Sequence, residues 1–435
     1  MNLHLALLAH KTKGHRKSVV GGDVMIDSTK HDQIRWKIYE RTADVDAAVW
    51  SSLHPESGSF LCLDYLRAIE DAHDEGLEVR LAVFYLNEKT IGIAAFQIAH
   101  FITSDDAYSN VVLNCINAVL RKFRGKHVHN ILINGNAFAT GEHGFSFLSE
   151  CAPQTIAFCL HGAMEGISKM EQGKGRRICA MVTKDFYPNT IPVAQGLEKY
   201  RFKRFQVDHN MVMPIHQSWK SFDDYLDSLN TKFRTKAKSS MKRSSTIAII
   251  RASADDVIAH ADALQVLYEN VYNKADFRLG KLDLKTLANL LRRIPQQFFV
   301  QIYLHEGVPV GFMSAMRCGK VLEAHVIGID YDKNRDHGVY QRMLYDYVSL
   351  AIELGCNRVV YGRTAAEIKS TVGAFPVDLT CCIMHRRSIS NALLSMILQY
   401  VKPSEYPQRQ PFKAEVLSEL TQQPLYNINA HAAEK

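Results

Sequence analysis

Two neighbouring side chains, Glu323 and His325, are the clearest candidates for acid–base chemistry in the sequence. They lie in the apolar run Leu322–Ile329, which has the composition and length of a β-strand. Residues two apart in a strand project from the same face, so Glu323 and His325 are expected to point together. An amine must lose a proton before it attacks an ester or thioester carbonyl, and either side chain suits a general base. The pattern does not choose between them, and a structural hydrogen-bonding pair is the alternative.

The segment after this strand is predicted to bind an anion. A polar loop, Asp330–His337, leads into an amphipathic helix over Val339–Leu354. Such a junction aims unpaired backbone N–H groups and the positive end of the helix dipole at one point, which suits a phosphate or pyrophosphate. A plain strand-to-helix connection is the alternative. The residues expected to line this anion site, called the donor site below, are Arg335, His337, Gly338, Val339 and Tyr340.

A third cluster follows the predicted strand Arg358–Tyr361. Thr364 and Glu367 have the spacing of a helix N-cap and its capping box, which explains both residues structurally. Arg363 and Lys369 are not explained in this way. Because α/β sheets place ligands at the ends of strands, these two cations are expected to hold a carboxylate, a phosphate or a developing oxyanion.

A glycine-rich loop, 135–144, follows another predicted strand, Val128–Asn134. Its glycines permit positive φ angles and a close approach of a ligand to the backbone. Two alternatives stay open, namely an ordinary surface loop and a loop that packs on the second half of the chain. The residues predicted to bind substrate here are Gly135, Asn136, Gly141 and His143.

The run 232–243 holds six basic residues and no acidic one. Lys232, Arg234 and Lys236 are predicted to meet the phosphates of a nucleotide donor, of tRNA or of anionic lipid headgroups. A solvated helix face explains the run equally well.

The same order of elements occurs twice. Segments 81–92 and 299–311 both read as strand, polar turn, strand, and both carry Tyr-Leu-x-Glu into the turn. A strand, a polar loop, a helix and another strand then follow in each half, with the helix over 153–172 in the first. We therefore predict two pseudo-symmetric mixed α/β domains at 33–205 and 206–400, a flexible segment 1–32 and a loop-rich tail 401–435.

The element order in each half resembles a GNAT domain. The string from Tyr340 to Tyr345, together with Gly362-Arg363-Thr364 through Lys369, is similar to the branch with two fused GNAT domains, which includes the Fem-type peptidoglycan aminoacyltransferases. Arg335 and Gly338 match the donor-loop signature of the superfamily, Gln/Arg-x-x-Gly-x-Gly/Ala. Tyr340 departs from it, because a small residue normally lets the backbone approach the pyrophosphate there.

This resemblance implies an α/β fold of two tandem GNAT-like domains and an N-acyltransferase. The enzyme would move an acyl group from acyl-CoA, or from an acyl carrier protein, to a primary amine, with an amine-bearing lipid among the acceptors. The main donor site would lie in the second domain, and no permanently bound cofactor or metal is expected. One alternative is a Fem-like transferase that takes an aminoacyl group from tRNA to a cell-wall precursor. Another is a non-catalytic ligand-binding protein.

Composition sets the remaining bounds. The 435 residues have 47% hydrophobic and 22% charged content and a net charge of +7, as in an ordinary globular protein. The nine cysteines include no Cys-x-x-Cys pair, which favours free thiols in a reducing cytosol. No window reaches the roughly 18 apolar residues of a membrane span. The apolar stretch Ile389–Val401, flanked by basic residues, is interpreted as a core helix, with an interfacial membrane helix as the alternative. We expect a cytoplasmic protein, with peripheral contact to the inner face of the membrane left open.

Overall fold

The computed structural model of the protein describes residues 33–54, 59–72, 76–102, 128–274 and 280–422, together with Leu425. The predicted flexible segment 1–32 lies outside these residues. The strands are β1 Ile34–Tyr39, β2 Leu77–Leu86, β3 Lys89–Ile102, β4 Val128–Asn134, β5 Phe145–Phe147, β6 Ile178–Phe186, β7 Lys203–Pro214, β8 Ile247–Arg251, β9 Phe298–His305, β10 Val308–Cys318, β11 Val321–Ile329, β12 Arg358–Val360 and β13 Phe375–His385.

The α-helices in the same residues range from five to 21 residues in length. They are α1 Ala47–Leu53, α2 Leu63–Asp71, α3 Pro153–Gly173, α4 Ile191–Glu198, α5 Phe222–Ser228, α6 Thr231–Arg243, α7 Ala254–Ala259, α8 Ala261–Lys274, α9 Lys285–Arg293, α10 Tyr331–His337, α11 Val339–Glu353, α12 Ala366–Ser370, α13 Ser388–Leu398 and α14 Ala414–Thr421. Within the described part of the chain, no helix is both long and apolar enough to cross a bilayer.

One mixed sheet runs through the whole molecule. Its strand order is β1-β2-β3-β4-β6-β13-β7-β12-β11-β10-β9-β8, with β5 paired to β3. Counted from its edge of the sheet, the first unit contributes β1, β2, β3, β4 and β6, and the second unit contributes β8, β9, β10, β11 and β12 in the same order. The last strand in sequence is β7 for the first unit and β13 for the second. The last strand of each unit is exchanged, because β13 pairs with β6 and β7 pairs with β12. The predicted pseudo-symmetric pair of mixed α/β units is confirmed by this order.

Both predicted hairpins are present. β2 and β3 are joined at Asn87, which has a φ of 54°, and β9 and β10 are joined at Glu306 and Gly307, with φ of 52° and 80°. Positive φ values in a two-residue turn match the right-handed twist of the flanking strands. The predicted boundary after residue 205 falls inside β7, so the chain passes between the units within a strand.

Parallel strands separate at the centre of the second unit. β11 pairs with β12 only from Val321 to Glu323, opposite Arg358 to Val360. β11 then continues to Ile329, whereas the chain leaves the sheet after Val360 and turns at Gly362, which has a φ of 78°. Glu323 therefore lies at the point where the two strands diverge.

The core is continuous across the two units on one face of the sheet. Side chains of α2, α8 and α9, including Tyr65, Leu264 and Leu287, belong to one buried cluster. On the other face of the first unit, α3 lies close to β1, since a Cβ at Gly162 would fall 2.5 Å from the Trp36 ring. Glycine at this position is what permits the close packing of helix on strand.

Two local predictions were wrong. Asp330–His337 is not a loop: residues Tyr331–His337 form α10, because the Asp330 side chain accepts hydrogen bonds from the N–H groups of Asp332 and Lys333 at 2.9 and 3.0 Å. Gly338, with a φ of 65°, ends α10 and begins α11.

The capping box at Thr364 and Glu367 is also absent. α12 begins at Ala366, and its N-cap is Ala365 in a left-handed conformation without a side-chain cap. Glu367 is therefore the second residue of the helix instead of the third, and its carboxylate pairs with Arg409 of the C-terminal tail at 2.6 Å. The tail is not all loop, because it contains α14 and buries Phe412 in the core of the second unit.

Candidate active site

Glu323 and His325 face the first unit. Nε2 of His143, in the glycine-rich loop, lies 3.0 Å from Oε2 of Glu323, and Nε2 of His325 lies 3.2 Å from the hydroxyl of Tyr65 on α2. The ring of Phe60 packs against both imidazoles, with centroid distances of 4.6 and 5.8 Å. The structure thus brings predicted residues of both units into one buried cluster. Of the interpretations left open for the loop, packing on the second unit is the one observed.

Hydrogen bonds fix the protonation state of His325. Asn136 donates to the Tyr65 hydroxyl at 3.0 Å, so that hydroxyl directs its own proton to Nε2 of His325. Nδ1 must then carry the ring proton, and it lies 3.5 Å from Oγ of Ser314. Burial, and then the neighbouring His143, lower the pKa of His325 to about 3. His325 is therefore a neutral imidazole whose only lone pair is already engaged.

Ser314 lies at an irregularity in the pairing of β10 with β11. Met313 pairs with Ile327 and Ala315 pairs with Ala324, so the single residue Ser314 lies opposite His325 and Val326. Its hydroxyl accepts from the Val326 N–H at 3.0 Å and donates to the Val326 carbonyl at 2.9 Å. This is a β-bulge, a feature that re-aims side chains beside functional sites.

Glu323 is in a different situation. Its side chain is only 2% exposed, and Oε2 is held by His143. Nε2 of His143 also lies 3.2 Å from the carbonyl of Thr140, so this nitrogen carries a proton and donates to two acceptors. The other oxygen of Glu323, Oε1, is buried without a hydrogen-bond partner among the described residues. A buried carboxylate oxygen with a free lone pair is ready to receive a hydrogen bond or a proton from a ligand.

Two residues that sequence reasoning missed, Tyr187 and Arg358, interact electrostatically with this carboxylate. Burial and then the charge of Glu323 raise the pKa of Tyr187, whose hydroxyl accepts a hydrogen bond from Asn210 at 3.0 Å. Burial lowers the pKa of Arg358, and the Glu323 carboxylate opposes that shift. Nothing in the local sequence of Tyr187, which follows β6, marks it as a neighbour of Glu323, whereas Arg358 lies on β12, the strand that pairs with β11.

The glycine-rich loop does not offer its backbone as a phosphate cradle. The N–H groups of Ala137, Phe138 and Gly141 already donate to side-chain oxygens of Gln97, Asn136 and Asp185 at 2.7 to 3.1 Å. Gly135, at a φ of 134°, packs against the Lys184 side chain. The predicted substrate residues Gly135 and Gly141 thus shape the loop, while Asn136 and His143 reach the cluster through their side chains.

Arg363 is neutralised by a residue of the first unit. It donates to Oδ1 of Asp185, and Lys184 lies 2.7 Å from Oδ2 of the same carboxylate. Burial alone would raise the pKa of Asp185, but the charges of Arg363 and Lys184 hold it at about 2. Arg363 thus takes part in a buried ion pair that joins the two units, and its predicted role toward a ligand stays a prediction.

Lys369 is buried behind the end of β12. Its ammonium group donates to the carbonyls of Tyr361 and Gly362 at 2.7 and 3.1 Å. Burial lowers the pKa of Lys369 to about 7. The geometry makes this side chain a support for the turn that carries Arg363.

At the predicted donor site, packed side chains and hydrogen-bonded backbone groups take the place of the expected loop. The Val339 side chain is fully buried against Gly311, and the N–H of Tyr340 donates to the side chain of Asn334 at 2.8 Å. Arg335 is 77% exposed and pairs with Asp332. His337 packs on His305, with a ring-centroid distance of 4.5 Å.

Arg243 brings a positive charge to this helix junction. Its Nε donates to the Asp336 carbonyl at 3.0 Å, and its NH2 donates to the carbonyls of Asn334 and Arg335. A Cβ at Gly338 would lie 3.5 Å from the guanidinium carbon. The N-terminus of α11 and a guanidinium thus converge on Gly338, a combination suited to an anion.

The basic residues of helix α6 are of two kinds, one that pairs with a carboxylate and others that do not. Arg234 lies 3.6 Å from Asp227 and donates to the Leu229 carbonyl, so it supports the end of α5. Lys232 and Lys236 are exposed, as are two further lysines of the helix, and none of them pairs with a carboxylate of the described residues. The lysines are Lys232, Lys236, Lys238 and Lys242.

No protein-family model matches the chain, and no curated protein matches it. Among solved structures, FemX is similar at 12% identity and a TM-score of 0.48, covering 83% of this chain and 99% of its own. A tandem GNAT protein from the clavulanic acid biosynthesis pathway is similar at 7% identity and a TM-score of 0.47, covering 81% of this chain and 98% of its own. A GCN5-related N-acetyltransferase from Sphaerobacter thermophilus is similar at 10% identity and a TM-score of 0.42, covering 82% and 98%. The chain itself has two mixed α/β units of the same strand order in one sheet.

Proposed function

We propose that the protein is an N-acyltransferase that moves an acyl group from acyl-CoA, or from an acyl carrier protein, to a primary amine. The observation that carries this proposal is Glu323. Its carboxylate is buried where β11 and β12 diverge, one oxygen is fixed by His143, and the other has no partner among the described residues. A carboxylate held in this way is a general base that lacks only its substrate.

In the proposed reaction the acceptor enters as an ammonium ion and gives one proton to Oε1 of Glu323. The free amine attacks the thioester carbonyl, so a C–N bond forms and the C–S bond breaks. A second proton leaves the nitrogen and is taken up by the departing thiolate, which gives an amide and a thiol. The proton on Glu323 passes to solvent before the next cycle.

His325 is a positioning residue in this account. Its lone pair receives the Tyr65 proton, and its pKa of about 3 makes it a weak base near neutral pH. The chain from Asn136 through Tyr65 to His325 fixes α2 and the glycine-rich loop against β11. His143 then orients the Glu323 carboxylate.

The donor phosphates would lie at the N-terminus of α11. Arg243 and the left-handed Gly338 meet there, and the positive end of the helix dipole would add to the charge of the guanidinium. Arg335 and His337 lie on the adjoining α10, so they would contact the outer part of the donor. An amine-bearing lipid remains one candidate acceptor.

A second candidate is aminoacyl transfer from tRNA. The observation that favours it is the set of four exposed lysines on α6 without carboxylate partners, because such a face suits a phosphate backbone. Tyr340, which is large where GNAT proteins carry a small residue, also leaves less room for a pyrophosphate.

Thermal stability of the purified chain against CoA, acetyl-CoA, palmitoyl-CoA and bulk tRNA separates these donors. A ligand at about 100 times its Kd stabilises the folded state by about 2.7 kcal/mol, which moves the melting temperature measurably. We expect a shift with a CoA species and, for that species, release of free thiol when primary amines are added. A shift with tRNA alone would favour the second candidate. No shift with any of them would contradict both enzymes and favour a non-catalytic binding protein.

A further inference from the structure

The apolar stretch interpreted from sequence as a core helix is α13, and only one of its faces is in the core. Leu394 and Leu398 are buried, but so are the polar residues Ser390 and Asn391. Asn391 is held by two backbone groups: its side chain accepts from the His385 N–H at 2.8 Å and donates to the Arg201 carbonyl at 3.0 Å. Ser390 and Asn391 therefore face inward, whereas Ser388 and Ser395 of the same helix are exposed.

The exposed side of α13 carries an apolar stripe. Ile389 is 80% exposed, Leu393 45%, Met396 63% and Tyr400, just beyond the helix, 72%. Their spacing of four, three and four residues places them on one stripe of the helix. The stretch from Ser388 to Val401 contains no charged residue. A soluble surface rarely leaves such a stripe uncovered, so the stripe marks a surface for a partner.

The charge around the stripe identifies the partner. Between Asp378 and Glu405 the sequence has no acidic residue, whereas Arg386, Arg387 and Lys402 flank the helix. Of these, Arg386 is paired with Glu165. Lys203 lies on the neighbouring strand β7, opposite Ile383. Neither Lys203 nor Lys402 lies within salt-bridge distance of a carboxylate in the described part of the chain.

We propose that the outer face of α13 docks on the surface of an anionic lipid bilayer. Ile389, Leu393, Met396 and Tyr400 would enter the boundary between headgroups and acyl chains, and Lys402 and Lys203 would meet the headgroup phosphates. A second copy of the chain is a poorer occupant, because two identical basic rims would be brought together. The proposal concerns an interaction surface and does not depend on the transfer reaction.

The test is co-sedimentation of the full chain with vesicles of phosphatidylcholine alone or mixed with phosphatidylglycerol. The helix variant Ile389→Ser/Met396→Ser removes two of the most exposed apolar side chains. The matched control is Ile258→Ser/Val266→Ser, since these side chains are 49% and 59% exposed on α7 and α8. A charge variant, Lys203→Gln/Lys402→Gln, tests the basic rim.

We expect the wild type and the control to bind phosphatidylglycerol vesicles, and the helix variant to bind about tenfold more weakly or worse. The charge variant should lose the preference for anionic vesicles while keeping its melting temperature. The proposal is overturned if the wild type stays in the supernatant with both vesicles, or if the helix variant sediments like the wild type. A dimer that the helix variant dissociates, without vesicle binding, would assign the face to a second copy instead.

Discussion

Glu323 and His325 look equivalent in the sequence, yet the structure gives them opposite properties. Both lie on β11 and face the first unit, but His325 uses its lone pair for Tyr65, whereas Glu323 keeps one oxygen without a partner among the described residues. The difference comes from Tyr65 and His143, which are 260 and 180 residues away along the chain. The alternation of side chains along a strand correctly predicts that Glu323 and His325 share a face. It cannot predict which distant side chain forms a hydrogen bond with each of them.

Arg363 and Lys369 illustrate the same limit. Their position after a strand was a sound reason to expect cations near a ligand. Their partners, Asp185 from the exchanged centre of the sheet and the carbonyls of a turn, became visible only in three dimensions.

Lys369 should make stability depend on pH. In the folded protein its pKa is about 7, and in the unfolded chain it is about 10.4. Between these values the unfolded chain binds one more proton, so this lysine makes stability rise with pH across the window from about 7 to 10. Lys369→Met removes that contribution. We expect the melting temperature of the wild type to gain on that of the variant as pH rises from 7 to 10; parallel curves would contradict this.

Asp185 should behave in the opposite way. Its pKa of about 2 lies below the usual 3.9, so its ion pairs stabilise the fold above about pH 4, and that stability is lost as pH falls toward 2. Asp185→Asn leaves Arg363 and Lys184 buried without their carboxylate and should cost about 3 to 5 kcal/mol at neutral pH in urea unfolding. Asp332→Asn, at a carboxylate that is 85% exposed, is the control and should be near neutral. Equal, small losses of unfolding free energy in both variants would show that this ion pair does not help to join the two units.

At the scale of elements, sequence patterns predicted both hairpins, the strands β4, β11 and β12 and the helices α3, α11 and α13 within a few residues. The repeated hairpins were recognisable because their turns and alternation are local signals. The failures occurred where local details decide the outcome. Asp330 caps α10 and converts an expected loop into a helix, and the start of α12 at Ala366 puts Glu367 one position short of a capping box.

The junction of α10 and α11 yields a prediction about the donor. Arg243→Gln should weaken binding of a phosphate-bearing donor by about tenfold, because a charged hydrogen-bonding group near the helix N-terminus is lost. Isothermal titration with the donor found by thermal stability would measure the change. Arg335→Gln, at an exposed arginine on the same junction, is the control and should change affinity less. A larger effect from Arg335 would place the phosphates outside α10 instead.

At the scale of the molecule, the exchanged strands bind the two units together. β13 completes the sheet of the first unit and β7 that of the second, and one buried cluster spans both. The duplication was visible in the sequence, but the exchange of β7 and β13 was not. The order of elements along the chain is the same whether the last strand of a unit pairs with its own unit or with the other.

This exchange predicts that neither unit folds alone. Residues 33–202 lack both central strands and should be unfolded or aggregated by circular dichroism and gel filtration. The full chain should unfold in one cooperative transition, with calorimetric and van't Hoff enthalpies that agree. Two separate thermal transitions, or a soluble folded first unit, would contradict the role given to β7 and β13.

The most direct test of the central claim compares thiol release from the donor by the wild type, Glu323→Gln and His325→Gln, each with a primary amine acceptor. If Glu323 is the general base, Glu323→Gln should lower kcat by about a hundredfold or more with the donor KM and melting temperature little changed, since amide and carboxylate have the same shape. His325→Gln should lose less in kcat than Glu323→Gln, because His325 only positions its neighbours. Full turnover by Glu323→Gln would contradict the account, whatever donor and acceptor the enzyme proves to use.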